Sequence, residues 1–408
     1  MELDQLQVSD AFSNFERDER GLLRTRLHSA GSAPFRIVHA AETSGGGLAT
    51  YIGHLIKMQR DFFGPGCITA ILPESQSQFM RSVPGVEVLT FDDSAGRVVN
   101  AFRLARRLKE FVNGGQPNVV HLHSTFAGAV LRPMLLKLKS KTKIIYCPHG
   151  WAFDRKMSSY AQYGAKWIER KLAPLCHAIV CISYHEVRAA RQCGIAPEKL
   201  VLVRNGVPMV APTPAIDPAS IAWPEGKRRI LFVGRFDRQK GVDVLLRAVS
   251  ELKDQVFACI VGDSVVDNLP VASDAENVRL CGWLSPAQLE AYYKSADVVV
   301  IPSRWEGFGL VAAEAMRAGL PVIASNVGGL TEIVDDGVTG ILIPTDDEKV
   351  LVQTLRDLTD AHLRAMGKAG RERFLRDFTM ERTHREICEL YFKSEDAAFG
   401  APATLQKS

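Results

Sequence analysis

The chain reads as an α/β protein built on two mostly parallel, doubly wound sheets that follow one another in sequence. Three observations predict this. Short apolar runs alternate with amphipathic stretches along most of the 408 residues, the βαβ pattern that a parallel sheet needs. The alternation breaks once, at Pro208, Pro212, Pro214, Pro218 and Pro224, whose spacing precludes a regular helix and marks a linker. Glycine-bearing turns join strand ends to helix starts, most plainly in Pro302-Ser303-Arg304-Trp305-Glu306-Gly307-Phe308-Gly309-Leu310.

Taken in order, residues 1–33 form a polar extension. A first strand, 35–40, runs into Ser44-Gly45-Gly46-Gly47 and then an amphipathic helix carrying Ala49, Ile52, Leu55, Ile56 and Met58. Strands are expected at 67–72, 86–91 and 119–122, alternating with helices such as 98–111. The pattern continues with strand 144–147, helix 160–173, strand 178–182, a further helix and strand 200–203. Beyond the linker, strands are expected at 229–233, 257–262, 278–280, 298–301, 321–324 and 340–343, with 242–252 and 286–295 the clearest helices. Helices at 348–358 and 361–374 and a closing helix at 380–393 end the pattern.

Composition excludes several classes. The apolar share of 46% and charged share of 24% are ordinary for a globular protein. No apolar run approaches the roughly 18–20 residues of a membrane span. The first residues mix acid and base without the apolar core of a signal peptide, so a cytoplasmic location is expected. Eight cysteines show no C-x2-C pair and sit among apolar neighbours, which reads as core residues in a reducing compartment with no zinc site. The net charge of +4 hides an asymmetry: residues 1–205 carry 27 Lys/Arg against 17 Asp/Glu, and the remainder 23 against 29. The excess peaks at Arg132, Lys137, Lys139, Lys141 and Lys143, which fits an anionic membrane surface, at the inner face of the plasma membrane, as a partner and equally a solvated helix face with a basic loop. Nucleic acid is not expected, because no aromatic interleaving accompanies the charge.

Two segments carry chemistry. Strand 298–301 should lead into a loop holding Glu306 and a helix from near Gly309 to Gly319, with Glu314 on its second turn. The free N–H groups of a helix start can receive a phosphate. With a carboxylate on either side, the segment suits an activated sugar, with hydroxyls at both ends and a diphosphate between. It also fits an ordinary strand-to-helix turn with solvated glutamates. Arg235 and Lys240 flank a second such turn, Gly234-Arg235-Phe236-Asp237-Arg238-Gln239-Lys240-Gly241. Two cations there would stabilise a leaving diphosphate, arginine as a fork and lysine as a point charge.

The spacing Glu306/Glu314 matches an E-x7-E motif, and the chain from about residue 35 to 390 resembles glycosyltransferase family 4. The resemblance includes Ser44-Gly45-Gly46-Gly47, His149-Gly150, Arg204-Asn205-Gly206-Val207-Pro208, Val233-Gly234-Arg235-Phe236 with Lys240-Gly241, Gly328-Gly329-Leu330-Thr331-Glu332 and Gly337-Val338-Thr339-Gly340. It implies the GT-B fold, two Rossmann-like domains facing across a cleft. The domains would be 34–208, completed by a returning helix at about 380–398, and 209–379, which would hold the nucleotide sugar. It also implies retaining hexose transfer from a UDP-sugar or GDP-sugar to a glycan or lipid-linked acceptor, in surface or exported polysaccharide synthesis, without metal or other cofactor.

By the same resemblance Arg235 and Lys240 stabilise the leaving group and Glu306 contacts hydroxyls of the donor sugar. Phe308, Gly309 and Leu310 offer backbone N–H groups, and Glu314 holds the ribose. Gly46 and Gly47 approach donor or acceptor, Asn205 joins the substrate-binding residues, and His149 reaches the sugar's 6-position or its reacting face. Attack would be front-face, the leaving phosphate taking the acceptor's proton. Trp151 and Phe153 could stack on an acceptor sugar or pack internally, and His121 fits a structural place in its strand. Base recognition is expected around Val261-Gly262-Asp263 and Cys281-Gly282-Trp283-Leu284. Alternatives are a sugar-nucleotide 2-epimerase on the same fold, a non-catalytic nucleotide-sugar sensor, and a dinucleotide oxidoreductase. The last is disfavoured because no G-x-G-x-x-G follows the first strand of either half.

Overall fold

The computed structural model describes residues 15–17, 23–25, 34–154, 158–264 and 275–393. The rest of the polar extension and the stretch 394–398 lie outside the described residues. The chain divides into two compact units, Met1–Val203 with Glu381–Ser408, and Arg204–Met380. A short antiparallel pair, β1 (Phe15–Arg17) with β2 (Leu23–Thr25), precedes the first sheet, which the sequence pattern does not announce.

In the first unit, β3 (Ile37–Ala41), β4 (Ile68–Pro73), β5 (Val86–Phe91), β6 (Val119–His123), β7 (Lys143–Cys147), β8 (Ala178–Cys181) and β9 (Leu200–Leu202) form one parallel sheet. Its order is β5-β4-β3-β6-β7-β8-β9. Helices cover both faces of such a sheet, so its inner strands read as unbroken apolar runs rather than alternations. Every residue of β3, β4 and β6 is buried. The second unit repeats the plan with β10 (Arg228–Val233), β11 (Val256–Val261), β12 (Val278–Gly282), β13 (Val298–Ile301), β14 (Val322–Ser325) and β15 (Gly340–Ile343) in the order β12-β11-β10-β13-β14-β15. In both sheets the first long strand sits where the order reverses, between β3 and β6 and between β10 and β13. Ligands of open α/β sheets bind at such switch points, outside the carboxyl ends of the strands.

The expected strands and helices are present, with ends shifted by a few residues. Arg204–Pro208 belong with the second unit, not the first: Val207 N–H donates to the Phe378 carbonyl at 3.0 Å, and Met380 N–H to that of Val207 at 2.9 Å. The closing helix, Met380–Phe392, packs within the first unit, where the Phe392 ring lies 5.0 Å from that of Phe35. All eight cysteines are free thiols, seven of them buried. Among the described residues no helix is long and apolar enough to cross a membrane.

The basic stretch is not a single surface. Arg132 is fully buried: its guanidinium donates to Glu169 at 2.7 Å and to the Gly128 carbonyl at 2.7 Å, and lies 4.2 Å from the Tyr146 ring centroid. Tyr146 hydroxyl donates to the other oxygen of Glu169 at 2.9 Å. Lys139 Nζ caps the Pro174 carbonyl at 2.8 Å, and Lys143 Nζ that of Leu390 at 3.2 Å. Lys137 and Lys141 are the exposed members of the set. Removing one partner of a buried pair strands the other charge. Arg132→Met should therefore lower unfolding stability by roughly 3–5 kcal/mol, and Arg132→Met/Glu169→Leu should restore much of it. Denaturant titration checks this, and a single variant within about 1 kcal/mol of the parent contradicts the placement.

Candidate active site

The second unit gathers charged side chains at its switch point. The turn after β10 carries Arg235 and Lys240, and the turn after the adjacent strand β13 carries Glu306. Lys240 Nζ donates to Glu306 Oε2 at 2.6 Å, with side chains only 19% and 13% exposed. Arg235 pairs with Asp237 at 2.9 Å and donates to Gln239 Oε1 at 3.0 Å. Gln239 is the joint between the turns, its amide donating to the Trp305 carbonyl at 3.1 Å while its own carbonyl accepts from Arg304 N–H at 2.8 Å. Asp237 caps the turn after β10 through the Lys240 N–H at 3.0 Å. Arg304 binds both oxygens of Asp243 at 2.9 and 2.8 Å and also Asp346 at 2.6 Å, clamping the Glu306 loop to the helix Val242–Ser250. Two glycines set the spacing. A Cβ on Gly241 would fall 2.1 Å from the Pro302 carbonyl oxygen, and one on Gly328 would fall 2.0 Å from that of Glu306.

Glu306 thus lies in the loop and Glu314 on the helix Leu310–Ala318, which left-handed Gly309 and Gly319 bracket. Phe308 is buried, with its ring 6.0 Å from that of Phe378. Leu310 opens the helix, where N–H groups lack intrahelical acceptors. Glu314 Oε2 accepts from Tyr293 hydroxyl at 2.8 Å, and burial pushes its carboxyl above the usual range against that hydrogen bond. Asn205 is buried, and its Oδ1 has no hydrogen-bond partner among the described residues. At the expected base-reading segment, Gly262 N–H donates to the Gly282 carbonyl at 2.9 Å and Phe236 N–H to that of Asp263 at 2.8 Å.

The first unit presents one ion pair, buried Glu42 just after β3 with Arg97, and otherwise neutral groups. Gly46 is the left-handed residue before the helix Gly47–Phe63, and both glycines are exposed. His149 follows β7 with a left-handed backbone, φ 52°. Its imidazole Nε2 lies 2.9 Å from Nδ1 of His123, whose Nε2 lies 2.9 Å from Nδ1 of His39. Burial holds His39 down at about 4 and His149 at about 3, and His121 and His123 well below the ordinary value, so all four are neutral near pH 7. Glu186 fixes the loop, accepting from Gly150 N–H at 2.7 Å and Ile182 N–H at 2.9 Å, and burial pushes its carboxyl up to about 7. Trp151 and Phe153 are core residues, 1% and 3% exposed and stacked on each other, which leaves no ring face for a sugar.

His39, His121 and His123 bring ring nitrogens within 4.8 Å of one another, a grouping that sequence spacing did not disclose. The rings of His121 and His123 lie face to face, 4.3 Å apart at 28°. Their in-plane lone pairs therefore run side by side rather than converging as tetrahedral ligation needs. Sequence reasoning also missed Asp237, Gln239, Arg304 with Asp243, and Tyr293. Of these only Asp237, three residues before Lys240, carried a local capping signal.

Two family models match the chain: Glycosyltransferase Family 4 over residues 45–209 and Glycosyl transferases group 1 over residues 215–373. A Klebsiella pneumoniae protein described as an uncharacterized 41.2 kDa protein in the cps region is 35% identical, over 78% of this chain and 88% of that one. Sucrose-phosphate synthase from Thermosynechococcus elongatus superposes with a TM-score of 0.73 at 23% identity, covering 87% of this chain and 98% of its own. HepE from Anabaena, solved in complex with UDP-glucose, gives 0.71 at 19% identity with the same coverage. At these identities the structural likenesses speak for the fold, and together with two doubly wound sheets and the two family matches they place the chain in glycosyltransferase family 4, on the GT-B fold.

Proposed function

We propose that this glycosyltransferase moves a hexose from a UDP- or GDP-sugar to a glycan or lipid-linked acceptor, with retention at the anomeric carbon, in surface polysaccharide synthesis. The observation that carries the reading is the contact of Lys240 with Glu306, beside Arg235, at the carboxyl edge between β10 and β13. A diphosphate there meets two cations, and the hexose meets a carboxylate that one of those cations already orients. The bond from the anomeric carbon to the diphosphate oxygen breaks, and the acceptor oxygen bonds to that carbon on the same face. The acceptor's proton passes to the departing oxygen, so no separate acid/base pair is needed. Arg235 and Lys240 supply the charge stabilisation that such a step requires, without a metal. Glu314 would hold the ribose with the carboxylate oxygen that Tyr293 leaves free. The UDP-glucose complex of HepE and the cps-region relative support donor class and setting.

Incubation with UDP-glucose, UDP-galactose, UDP-N-acetylglucosamine and GDP-mannose tests this. One donor should be turned over, and Lys240→Ala should lower kcat by about 10²–10³, with Glu306→Gln also impaired. Absence of binding or turnover of all four, with no effect of either substitution, would sink the reading.

The anionic membrane partner is reassigned from the 132–143 stretch to the outer face of the helix Ser159–Leu172. Tyr160, Tyr163, Trp167 and Ile168 are 92%, 72%, 48% and 41% exposed. Lys166, Arg170 and Lys171 are exposed among them, while the helix's acid, Glu169, is consumed internally by Arg132 and Tyr146. The outer face is therefore aromatic and wholly cationic, as an anionic lipid interface favours. Replacing the three cations with serine should weaken binding to phosphatidylglycerol-containing vesicles by about 3 kcal/mol, roughly a hundredfold. Equal co-sedimentation of variant and parent, or binding insensitive to salt, would refute it.

A further inference from the structure

The register of β3 against β6 pairs His39 with His121 and Ala41 with His123, which sets the three imidazoles on one face of the sheet. A neutral imidazole has one donor and one acceptor nitrogen. His39 and His123 use both nitrogens, so each must hand its polarity to the next. The starting point is Gln59, whose Oε1 lies 2.6 Å from His39 Nε2 and whose amide nitrogen donates to Tyr391 hydroxyl at 3.2 Å. That hydroxyl lies 2.8 Å from His121 Nδ1. An amide oxygen only accepts, so His39 carries its hydrogen on Nε2 and accepts on Nδ1 from His123 Nε2–H. His123 then accepts on Nδ1 from His149 Nε2–H. His149 Nδ1, on the partly exposed side chain that ends the chain, takes no hydrogen bond from the described residues. The paired rings are near coplanar, at 16° for His39 with His123 and 27° for His123 with His149, as directional N–H···N bonds need.

We propose that Gln59, His39 and His123 are positioning residues that fix the tautomer of His149, so that its Nδ1 is offered, at the carboxyl edge of the first sheet, as an acceptor to a sugar hydroxyl. The ligand's identity rests on the transferase reading above; the chain does not. The ionisable groups around it are His121, Tyr391 and Cys147, Tyr51 with its ring 5.0 Å from that of His149, and Glu186 on the adjoining N–H. With burial holding His39 at about 4 and His149 at about 3, the hydrogen-bonded row of imidazoles stays uncharged down to pH 5.

The test is long-range 15N–1H correlation on the full chain labelled at histidine nitrogen, from pH 7.5 to 5, with assignments from single variants. His39, His123 and His149 should each show the Nε2–H form and no titration. His39→Leu should let His149 sample both tautomers, while His39→Gln, whose amide oxygen still accepts from His123, should hold it. In transfer assays His39→Leu should lower kcat about tenfold with little change in the donor KM, since one oriented hydrogen bond is lost, and His39→Gln should recover much of it. An Nδ1–H form at His149, charged imidazoles above pH 6, a divalent cation on His39, His121 and His123, or a His149 indifferent to His39→Leu would each overturn the proposal. Tautomers as stated in a protein that turns over no nucleotide sugar would uphold the chain and sink the transferase reading instead.

Discussion

The candidate active site depends on backbone meeting backbone at the carboxyl edge of the second sheet. Gly241 seats the turn after β10 on the Pro302 carbonyl, and Gly328 seats the turn after β14 on that of Glu306. A methyl group at either position would overlap a carbonyl oxygen, and both glycines are left-handed, at φ 65° and 49°, where other residues are strained. Gln239 and Arg304 then tie the same turns by hydrogen bonds. Lys240 and Glu306 are held in register before any ligand arrives, which is the geometric economy that oriented catalytic groups rely on.

The two units use opposite electrostatics. The second exposes charge at its switch point, where a diphosphate would need neutralising. The first buries neutral imidazoles at the corresponding place, beside a single ion pair of Glu42 with Arg97. Arg132 and Glu169 satisfy each other inside. The helix Ser159–Leu172 keeps only cations outside as a result. A sugar is neutral and hydroxyl-rich, so a surface that offers oriented acceptors without net charge suits it, just as cations suit phosphate.

Much of the architecture was legible because each element carried its own signal. Residues 298–301 are four β-branched residues in a row, and they form β13. The helix Leu310–Ala318 starts and stops at glycines visible in the sequence. Ser285 with Gln288 three residues later is a capping box, and the helix Pro286–Ser295 starts there. What was illegible depended on long-range meetings. Arg132 and Lys137 look alike along the chain, and only packing makes one a core residue and the other a surface one. Gln59, His39 and Tyr391 come from three elements far apart in sequence, and no spacing rule joins them. Tyr293 reaches Glu314 because two helices pack, a fact absent from either segment alone. Trp151 and Phe153 could equally have faced a ligand or the core, and their mutual stacking decided for the core.

The proposed transfer requires that Lys240, Arg235 and Glu306 receive a glycosyl diphosphate at the β10–β13 edge. A crystal structure of the protein with UDP-glucose or GDP-mannose bound examines that most directly. The diphosphate is expected within hydrogen-bonding distance of Arg235 and Lys240, with the hexose hydroxyls on Glu306. A nucleotide sugar bound elsewhere, with Lys240 and Glu306 still paired only to each other, would contradict it.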